Sequence, residues 1–185
     1  MGINLNIDQE KDYNDVTNEL KNNNKVALIR PTGTGKSIIV LKFIENNEGK
    51  KVLYLAPSVS ILHQVKENII KYGVKCLPNL KRMSYQKLSK LDNNELKSLN
   101  PDIIILDEFH HCGAPVWGQS VENLCNMFPN TQVIGLSATP IRYFDGNVDI
   151  AEEMFGEHVV SNISFYEAVE QGILPQFEYI SAMYG

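Results

Sequence analysis

Four short apolar runs divide the chain, and most of the sequence between them repeats its apolar residues with helical spacing. The runs cover residues 26–29, 52–56, 103–106 and 133–136. Because these runs are continuous rather than alternating, they are typical of strands that are buried on both faces of a sheet. The helical spacing predicts helices at residues 37–46, 60–72, 92–99 and 116–128.

Strands that alternate with helices predict an α/β fold, in which right-handed crossovers build a mostly parallel sheet with helices on both faces. Local signals support the helix ends, since Gly73 follows the second predicted helix and Asp92 with Glu95 has the spacing of a capping box. Residues 81–85 are predicted to add a short strand. In such a sheet ligands bind beyond the carboxyl ends of the strands, so the chemistry is expected there.

A glycine-rich turn directly follows the first predicted strand. It reads Arg30, Pro31, Thr32, Gly33, Thr34, Gly35, Lys36 and Ser37. A buried strand that feeds such a turn, with Gly-Lys-Ser opening a helix, is the P-loop arrangement, whose backbone N–H groups and helix N-terminus bind phosphate. An ordinary strand-to-helix turn is the alternative, but both flanking patterns match the motif.

Individual residues of this turn have distinct predicted roles. Lys36 is placed to reach the β- and γ-phosphates of a nucleotide, and the Ser37 hydroxyl to ligate Mg²⁺. Arg30 stands where the motif usually has its first glycine. Since Gly33 and Gly35 still supply a flexible backbone, the loop is expected to survive that change.

Two carboxylates follow the third predicted strand. Asp107 comes first and is predicted to hold Mg²⁺ through its water shell, while Glu108 is predicted to polarise the water that attacks the γ-phosphate. Acidic residues at strand ends are also common as solvated turn residues. With a P-loop upstream that lacks a metal-holding acid of its own, the catalytic interpretation is favoured.

Hydroxyl and imidazole groups accompany these carboxylates. Ser137 and Thr139 follow the fourth predicted strand and, beside the strand that carries the acids, they are placed to bond to them and sense the phosphates. His110 is predicted as a hydrogen-bonding link between the carboxylates and a neighbouring element. A zinc site at His110, His111 and Cys112 is not favoured, because adjacent side chains do not readily surround a tetrahedral ion.

Composition sets limits on the class of protein. The chain has 185 residues, of which 43% are apolar, and this argues for a globular domain and against disorder. No apolar run approaches the roughly 20 residues needed to cross a bilayer, and the N-terminus lacks a signal pattern. The three cysteines are widely spaced, so reduced thiols and a cytoplasmic location are predicted.

One region of the chain is basic, although the net charge of −5 gives no global case for nucleic-acid binding. Residues 66–90 contain seven Lys or Arg residues and a single acidic residue, Glu67. With Tyr85 and the hydroxyls of Ser58 and Ser84, this region is predicted to track a phosphate backbone without reading sequence. A solvated basic helix face is the alternative.

Taken together, the motifs at residues 31–37, 107–110 and 137–140 resemble motifs I, II and III of superfamily 2 helicases. Other stretches match the branch that includes type III restriction enzyme R subunits, so the resemblance covers nearly the whole chain. It implies a RecA-like P-loop NTPase domain, a three-layer sandwich with a mostly parallel central sheet, that uses ATP and Mg²⁺.

The resemblance also implies roles for single residues. Gln9 resembles the glutamine that reads the adenine edge in many relatives. Pro57 and Ser58 lie in a segment similar to motif Ia, and Ser84 and Tyr85 in the segment that follows it, so these four residues are implied nucleic-acid contacts. His110, Ser137 and Thr139 are implied to couple the nucleotide to the nucleic acid.

The same resemblance predicts how the protein is divided. Residues 1–175 correspond to a first RecA-like domain, and residues 176–185 to the start of a connector to a second RecA-like domain in cis. The resemblance implies that the partner is DNA or RNA and that the protein does not bind a membrane. Because an arginine finger from the second domain is worth about 10³–10⁵ in rate in related systems, the isolated chain is expected to bind nucleotide and to hydrolyse it poorly.

The implied function is a helicase or translocase motor that couples ATP hydrolysis to nucleic-acid remodelling. The motor part of a restriction-type DNA translocase is an alternative, and so is a P-loop NTPase outside the helicases. A kinase would need an acceptor pocket and leaves residues 137–140 unexplained. A non-catalytic nucleotide-binding module would not need Asp107 and Glu108.

Overall fold

A parallel sheet of six strands is the centre of the computed structural model, which describes residues 2–74, 77–139, 141–142, 148–161 and 163–176. In chain order the strands are β1 (Lys25–Ile29), β2 (Val52–Ala56), β3 (Leu80–Ser84), β4 (Ile103–Asp107), β5 (Gln132–Ser137), β6 (Ile141–Arg142), β7 (Val148–Asp149) and β8 (Val159–Val160). The sheet has the order β3-β2-β4-β5-β1-β8, and β6 and β7 form a separate antiparallel pair.

The described part of the chain also has eight α-helices. They are α1 (Ile7–Asn22), α2 (Lys36–Asn46), α3 (Val59–Tyr72), α4 (Tyr85–Leu88), α5 (Asn93–Leu99), α6 (Pro115–Met127), α7 (Ile150–Phe155) and α8 (Phe165–Glu170). Short 3₁₀ segments cover Leu77–Asn79 and Phe109–Gly113. None of the described helices combines the length and the apolar character that a transmembrane segment requires.

Alternate residues of the central strands face two separate apolar clusters. In β1, Val26 and Leu28 pack with buried residues of α1, α2 and α3, whereas Ala27 and Ile29 pack with buried residues of α4, α5, α6 and α7. Because neighbouring side chains of a strand point to opposite faces, a helical layer covers each face of the sheet. The predicted α/β fold with a parallel sheet between two helical layers is confirmed.

The helix α1 has no counterpart among the helices that apolar spacing predicts. Its only buried apolar residues are Val16 and Leu20, which lie beside the buried Asp12. The sequence signal for this helix is a capping box instead, in which the side chains of Asn6 and Gln9 each accept a hydrogen bond from the backbone N–H of the other.

The other predicted elements lie within one or two residues of the observed ones. The strand predicted at residues 81–85 ends at Ser84, because Tyr85 begins α4. Pro140, Cys76 and residues 177–185, which include most of the predicted connector, lie outside the described residues. The division of the protein after residue 175 therefore stays a prediction.

Candidate nucleotide-binding site

The carboxyl ends of three adjacent strands bring the predicted phosphate loop and the predicted acidic residues to one edge of the sheet. In register, Asp107 of β4 pairs with Leu136 of β5, and Ile29 of β1 pairs with Ser137 of β5. The backbone N–H of Arg30 donates to the carbonyl of Ser137 over 3.1 Å, so the sheet pairing continues into the loop. Parallel pairing alone thus places these distant segments side by side.

The loop between β1 and α2 has the backbone that a phosphate nest needs. Gly33 has φ 87° and Gly35 has φ 90°, a left-handed region that other residues rarely adopt. Gly35 is also the N-cap of α2, and a Cβ at that position would collide with Nε2 of Gln9. The loop keeps this form although Arg30 replaces the usual first glycine.

Lys36 is folded into the loop rather than extended into solvent. Its side chain is 8% exposed, and its Nζ donates to the carbonyl of Arg30 over 2.9 Å. Burial lowers the pKa of Lys36, whereas the negative charges of Glu108 and Asp107 act in the opposite direction. Ser37, the next residue, lies half-buried in the first turn of α2.

Asp107 is a buried carboxylate whose side chain accepts a hydrogen bond from a neighbouring strand. The hydroxyl of Tyr54, which is fully buried on β2, donates to Oδ2 of Asp107 over 2.7 Å. Burial raises the pKa of Asp107 to about 6, more than the Tyr54 hydrogen bond lowers it. At low pH the Asp107 carboxyl therefore carries a proton and is uncharged when no nucleotide is bound.

We expect Asp107→Asn to stabilise the nucleotide-free chain at neutral pH. Because folding raises the pKa of Asp107, the folded chain still holds this proton at pH values at which the unfolded chain has released it. The proton's contribution to the stability of the folded chain is lost as pH rises from about 4 to about 6. Asn keeps an acceptor for Tyr54 and does not ionise. Urea unfolding without Mg²⁺ should show the variant about 2–3 kcal/mol more stable at pH 7. The difference should vanish near pH 4, and a pH-independent difference would contradict this explanation.

Glu108 lies at the turn out of β4 in an unusual backbone conformation. Its φ of 49° is in the left-handed region, which is uncommon for a residue with a side chain and is often found at functional sites. The side chain is 24% exposed, and Oε2 lies 3.4 Å from Nδ1 of His110. This carboxylate is therefore open to solvent, in contrast to Asp107.

A chain of polar contacts runs from Glu108 through His110 to Ser137 at the end of β5. Nδ1 of His110 lies 2.9 Å from Oγ of Ser137, and this hydroxyl donates to the carbonyl of Thr139 over 2.6 Å. Since a hydroxyl has one proton to donate, the network assigns the His110 proton to Nδ1. Thr139 joins the chain through its backbone, and its side chain is exposed.

Gln9 reaches the loop from the first turn of α1. Its Nε2 lies 3.4 Å from the carbonyl of Thr34, and its Oε1 accepts from the backbone N–H of Asn6. The predicted base-reading residue thus lies beside the loop that is predicted to hold the phosphates. Pro31 and Thr32 complete that loop and are half-buried and exposed, respectively.

The predicted nucleic-acid contacts lie at the ends of the next two strands in the sheet, with one exception. Pro57 and Ser58 follow β2, and Ser84 ends β3. The prediction for Tyr85 is wrong, because its ring is fully buried and its hydroxyl donates to the carbonyl of Asp107 over 3.0 Å. Among the described residues of the basic region, the exposed Lys side chains are Lys66, Lys71, Lys81, Lys87 and Lys90.

Two buried polar residues near the site were not expected from the sequence. Tyr54 lies within a continuous apolar strand, where nothing distinguishes it from a packing residue. Asp12 lies on the helix that apolar spacing misses. Its place between Gln9 and Val16 on one face of that helix was the signal in the sequence that it is buried. Within the described residues no group of three or more His, Cys, Asp or Glu side chains is placed to hold a metal ion.

Comparison with solved structures shows which fold this is. The chain is similar to the DNA-bound type ISP restriction-modification enzyme LlaBIII (18% identity, TM-score 0.65, 93% of this chain and 16% of that one). It is also similar to the Pyrococcus furiosus Hef helicase domain (22%, 0.62, 84% and 38%) and the Sulfolobus solfataricus SWI2/SNF2 ATPase core with dsDNA (18%, 0.55, 74% and 32%). The chain thus spans well under half of each of these solved chains.

These solved structures are at most 22% identical to the chain, and the likeness shows that the chain shares their fold. No curated protein matches the chain. The family described as "Type III restriction enzyme, res subunit" matches residues 2–142, which is more than half of the sequence. The chain therefore belongs to the family of the type III restriction enzyme res subunit.

Proposed function

We propose that this domain binds ATP with Mg²⁺ and couples its hydrolysis to movement along, or remodelling of, nucleic acid. The observation that carries the proposal is the single edge of the sheet at which the P-loop, Asp107, Glu108 and the His110–Ser137 link meet. A phosphate nest beside a buried and an open carboxylate is the arrangement that nucleotide hydrolysis needs.

The residues at the edge fit a magnesium ion that is bound together with nucleotide. Mg²⁺ prefers six oxygen ligands, keeps several waters and takes one or two protein groups beside the phosphates, and Asp107 with the Ser37 hydroxyl is such a set. When bound, the ion would neutralise charge on the β- and γ-phosphates. Lys36 would leave the Arg30 carbonyl to contact the same phosphates, and Glu108 would orient the attacking water and accept its proton.

The proposed nucleic-acid track lies at the β2 and β3 end of the sheet edge. Pro57 and Ser58 follow β2 and Ser84 ends β3, and the exposed lysines that the structure describes between residues 66 and 90 lie in the same part of the sequence. This track would bind the phosphates of the nucleic-acid backbone and would not read the base sequence. The family match, and the likeness to a DNA-bound restriction-modification enzyme, favour a restriction-type DNA translocase as the specific motor.

We infer that a second RecA-like domain completes the catalytic site. The described arginine side chains are both engaged, since Arg30 pairs with Asp12 and Arg82 donates to the carbonyl of Leu62. Neither is free to act as an arginine finger toward the P-loop. The free thiols of Cys112 and Cys125 fit the reducing conditions of the cytoplasm, where we propose that the protein acts.

The 185-residue chain alone is expected to bind Mg²⁺-ATP weakly and to release phosphate near the background rate, even with saturating single-stranded DNA or RNA. In the proposed mechanism this domain forms one wall of the cleft, and the second domain supplies an arginine finger that is worth about 10³–10⁵ in rate. Supplying the second domain, in cis or in trans, should produce phosphate release that polynucleotide stimulates. Robust stimulated turnover by the monomeric chain would contradict the two-domain mechanism. Stimulation by a small phosphate acceptor instead would indicate a kinase.

A further inference from the structure

Arg30 and Asp12 form an ion pair that is almost completely removed from solvent. Arg30 is 1% exposed and Asp12 is 0% exposed, although both residue types are almost never fully buried unless paired. Arg30 belongs to the P-loop, at the position where the motif usually has a glycine, and Asp12 lies on α1. The pair therefore joins two elements of the nucleotide site.

The Arg30 guanidinium contacts both elements through two of its nitrogens, Nη1 and Nε. Its Nη1 binds the Asp12 carboxylate and lies 3.5 Å from the carbonyl of Asp8, which is also on α1. Its Nε donates to Oγ1 of Thr34 over 3.1 Å, and that hydroxyl donates to the carbonyl of Pro31. One planar group thus fixes the distance between the first turns of α1 and the middle of the P-loop.

Gln9 lies on the same face of α1 as Asp12, because residues three apart on a helix are neighbours. Its Nε2 lies 3.4 Å from the carbonyl of Thr34, the residue that Arg30 also holds. A small rotation of α1 would therefore turn the Gln9 amide away from the loop. A glutamine amide offers one donor and one acceptor, which is the pattern that complements N6 and N7 of adenine.

We infer that the Arg30–Asp12 pair is a positioning device that aims Gln9 at the nucleobase and so sets the preference for ATP over GTP. This inference rests on the proposed function, since it requires that a nucleotide binds at the P-loop. The pair is behind the loop and does not itself contact the nucleotide. Its loss should weaken recognition of the base and leave the phosphate contacts of the loop intact.

The test compares three ligands in the presence of Mg²⁺: ATP, GTP and inorganic tripolyphosphate. Isothermal calorimetry should show that Asp12→Asn reduces ATP affinity about tenfold, toward the GTP value, and leaves tripolyphosphate affinity within about twofold. Glu19→Gln is the matched control, because Glu19 pairs with His158 farther along α1. This control should keep the ATP-to-GTP ratio of the unchanged chain.

A double-mutant cycle separates positioning from general destabilisation. In a Gln9→Ala chain, Asp12→Asn should have no further effect on ATP affinity, because the residue that it positions is gone. Additive losses, or a parallel loss of tripolyphosphate affinity, would overturn the inference. If circular dichroism shows that Asp12→Asn does not fold, Arg30→Lys gives the same readouts, since lysine keeps the charge and lacks the planar fork.

The outcomes also separate this inference from the proposed function. An unchanged chain that binds neither ATP nor tripolyphosphate would contradict the proposed function, and the inference with it. A chain that binds both, and whose ATP-to-GTP ratio is insensitive to Asp12→Asn and Arg30→Lys, would contradict the positioning role alone.

Discussion

Lys36→Ala is expected to abolish binding of Mg²⁺-ATP while the domain stays folded. The lysine is held inside the loop, with its Nζ 2.9 Å from the Arg30 carbonyl, and it is the loop cation that is predicted to reach the phosphates. Hydrogen bonds to charged groups are each worth about 1.5–3 kcal/mol, so we expect at least a 100-fold loss of affinity, or about 3 kcal/mol. Calorimetry with Mg²⁺ present measures it directly.

A matched control for this variant lies one and a half turns along the same helix. Lys42 of α2 forms a partly exposed ion pair with Glu45 and belongs to neither the P-loop nor the sheet edge. Lys42→Ala should therefore bind ATP like the unchanged chain. Normal ATP affinity in a folded Lys36→Ala chain would show that the phosphates bind elsewhere.

Glu108→Gln is expected to separate binding from hydrolysis. The amide keeps the size of the side chain and its place beside His110, but it does not accept a proton from water. Nucleotide affinity should be nearly unchanged, and phosphate release should fall by about 10²–10⁴-fold in a form that includes a second motor domain. Single-turnover phosphate release is the measurement.

The control for Glu108→Gln is the same substitution at an exposed helix position. Glu122 lies on α6, contacts Gln119 and belongs to neither of the strand-end motifs. Its substitution should leave hydrolysis unchanged. A Glu108→Gln enzyme that hydrolyses ATP at the normal rate would mean that another group orients the water.

The parts of the fold that could be predicted are those with a local signal. Continuous apolar runs marked β1, β2, β4 and β5, because a strand buried on both faces has no polar alternation. Once these strands are parallel, their carboxyl ends share one edge. The predicted meeting of the P-loop with Asp107 and Ser137 followed from that rule.

The parts that could not be predicted depend on contacts between distant segments. Arg30 was recognisable as a departure from the motif, but its partner Asp12 lies on a mostly polar helix whose place is set by tertiary packing. Tyr85 looked like an aromatic residue near basic ones, yet its position directly after β3 turns the ring into the apolar layer below α6. Burial of that kind depends on strand order, which apolar spacing does not reveal.

The position of β1 in the sheet affects the order in which the nascent polypeptide acquires structure on the ribosome. Both neighbours of β1, the strands β5 and β8, come about 100 residues or more after it in the sequence. The strand β2, in contrast, pairs with β3 and β4, which both come before β5 in the sequence. At synthesis rates of about 5–20 residues per second, β1 stays unpaired for about 5–20 s after it emerges.

During that interval the chain exposes a strand with four consecutive apolar residues, and the P-loop sequence that follows it has no neighbouring strand to hold its shape. Loop closure over such a distance is slow, and an unpaired apolar strand is prone to aggregation, so this segment is the one that a chaperone would have to protect. A truncation between α2 and β5 would keep every residue of the phosphate loop. It would remove β5, the strand that pairs with β1 up to the start of that loop.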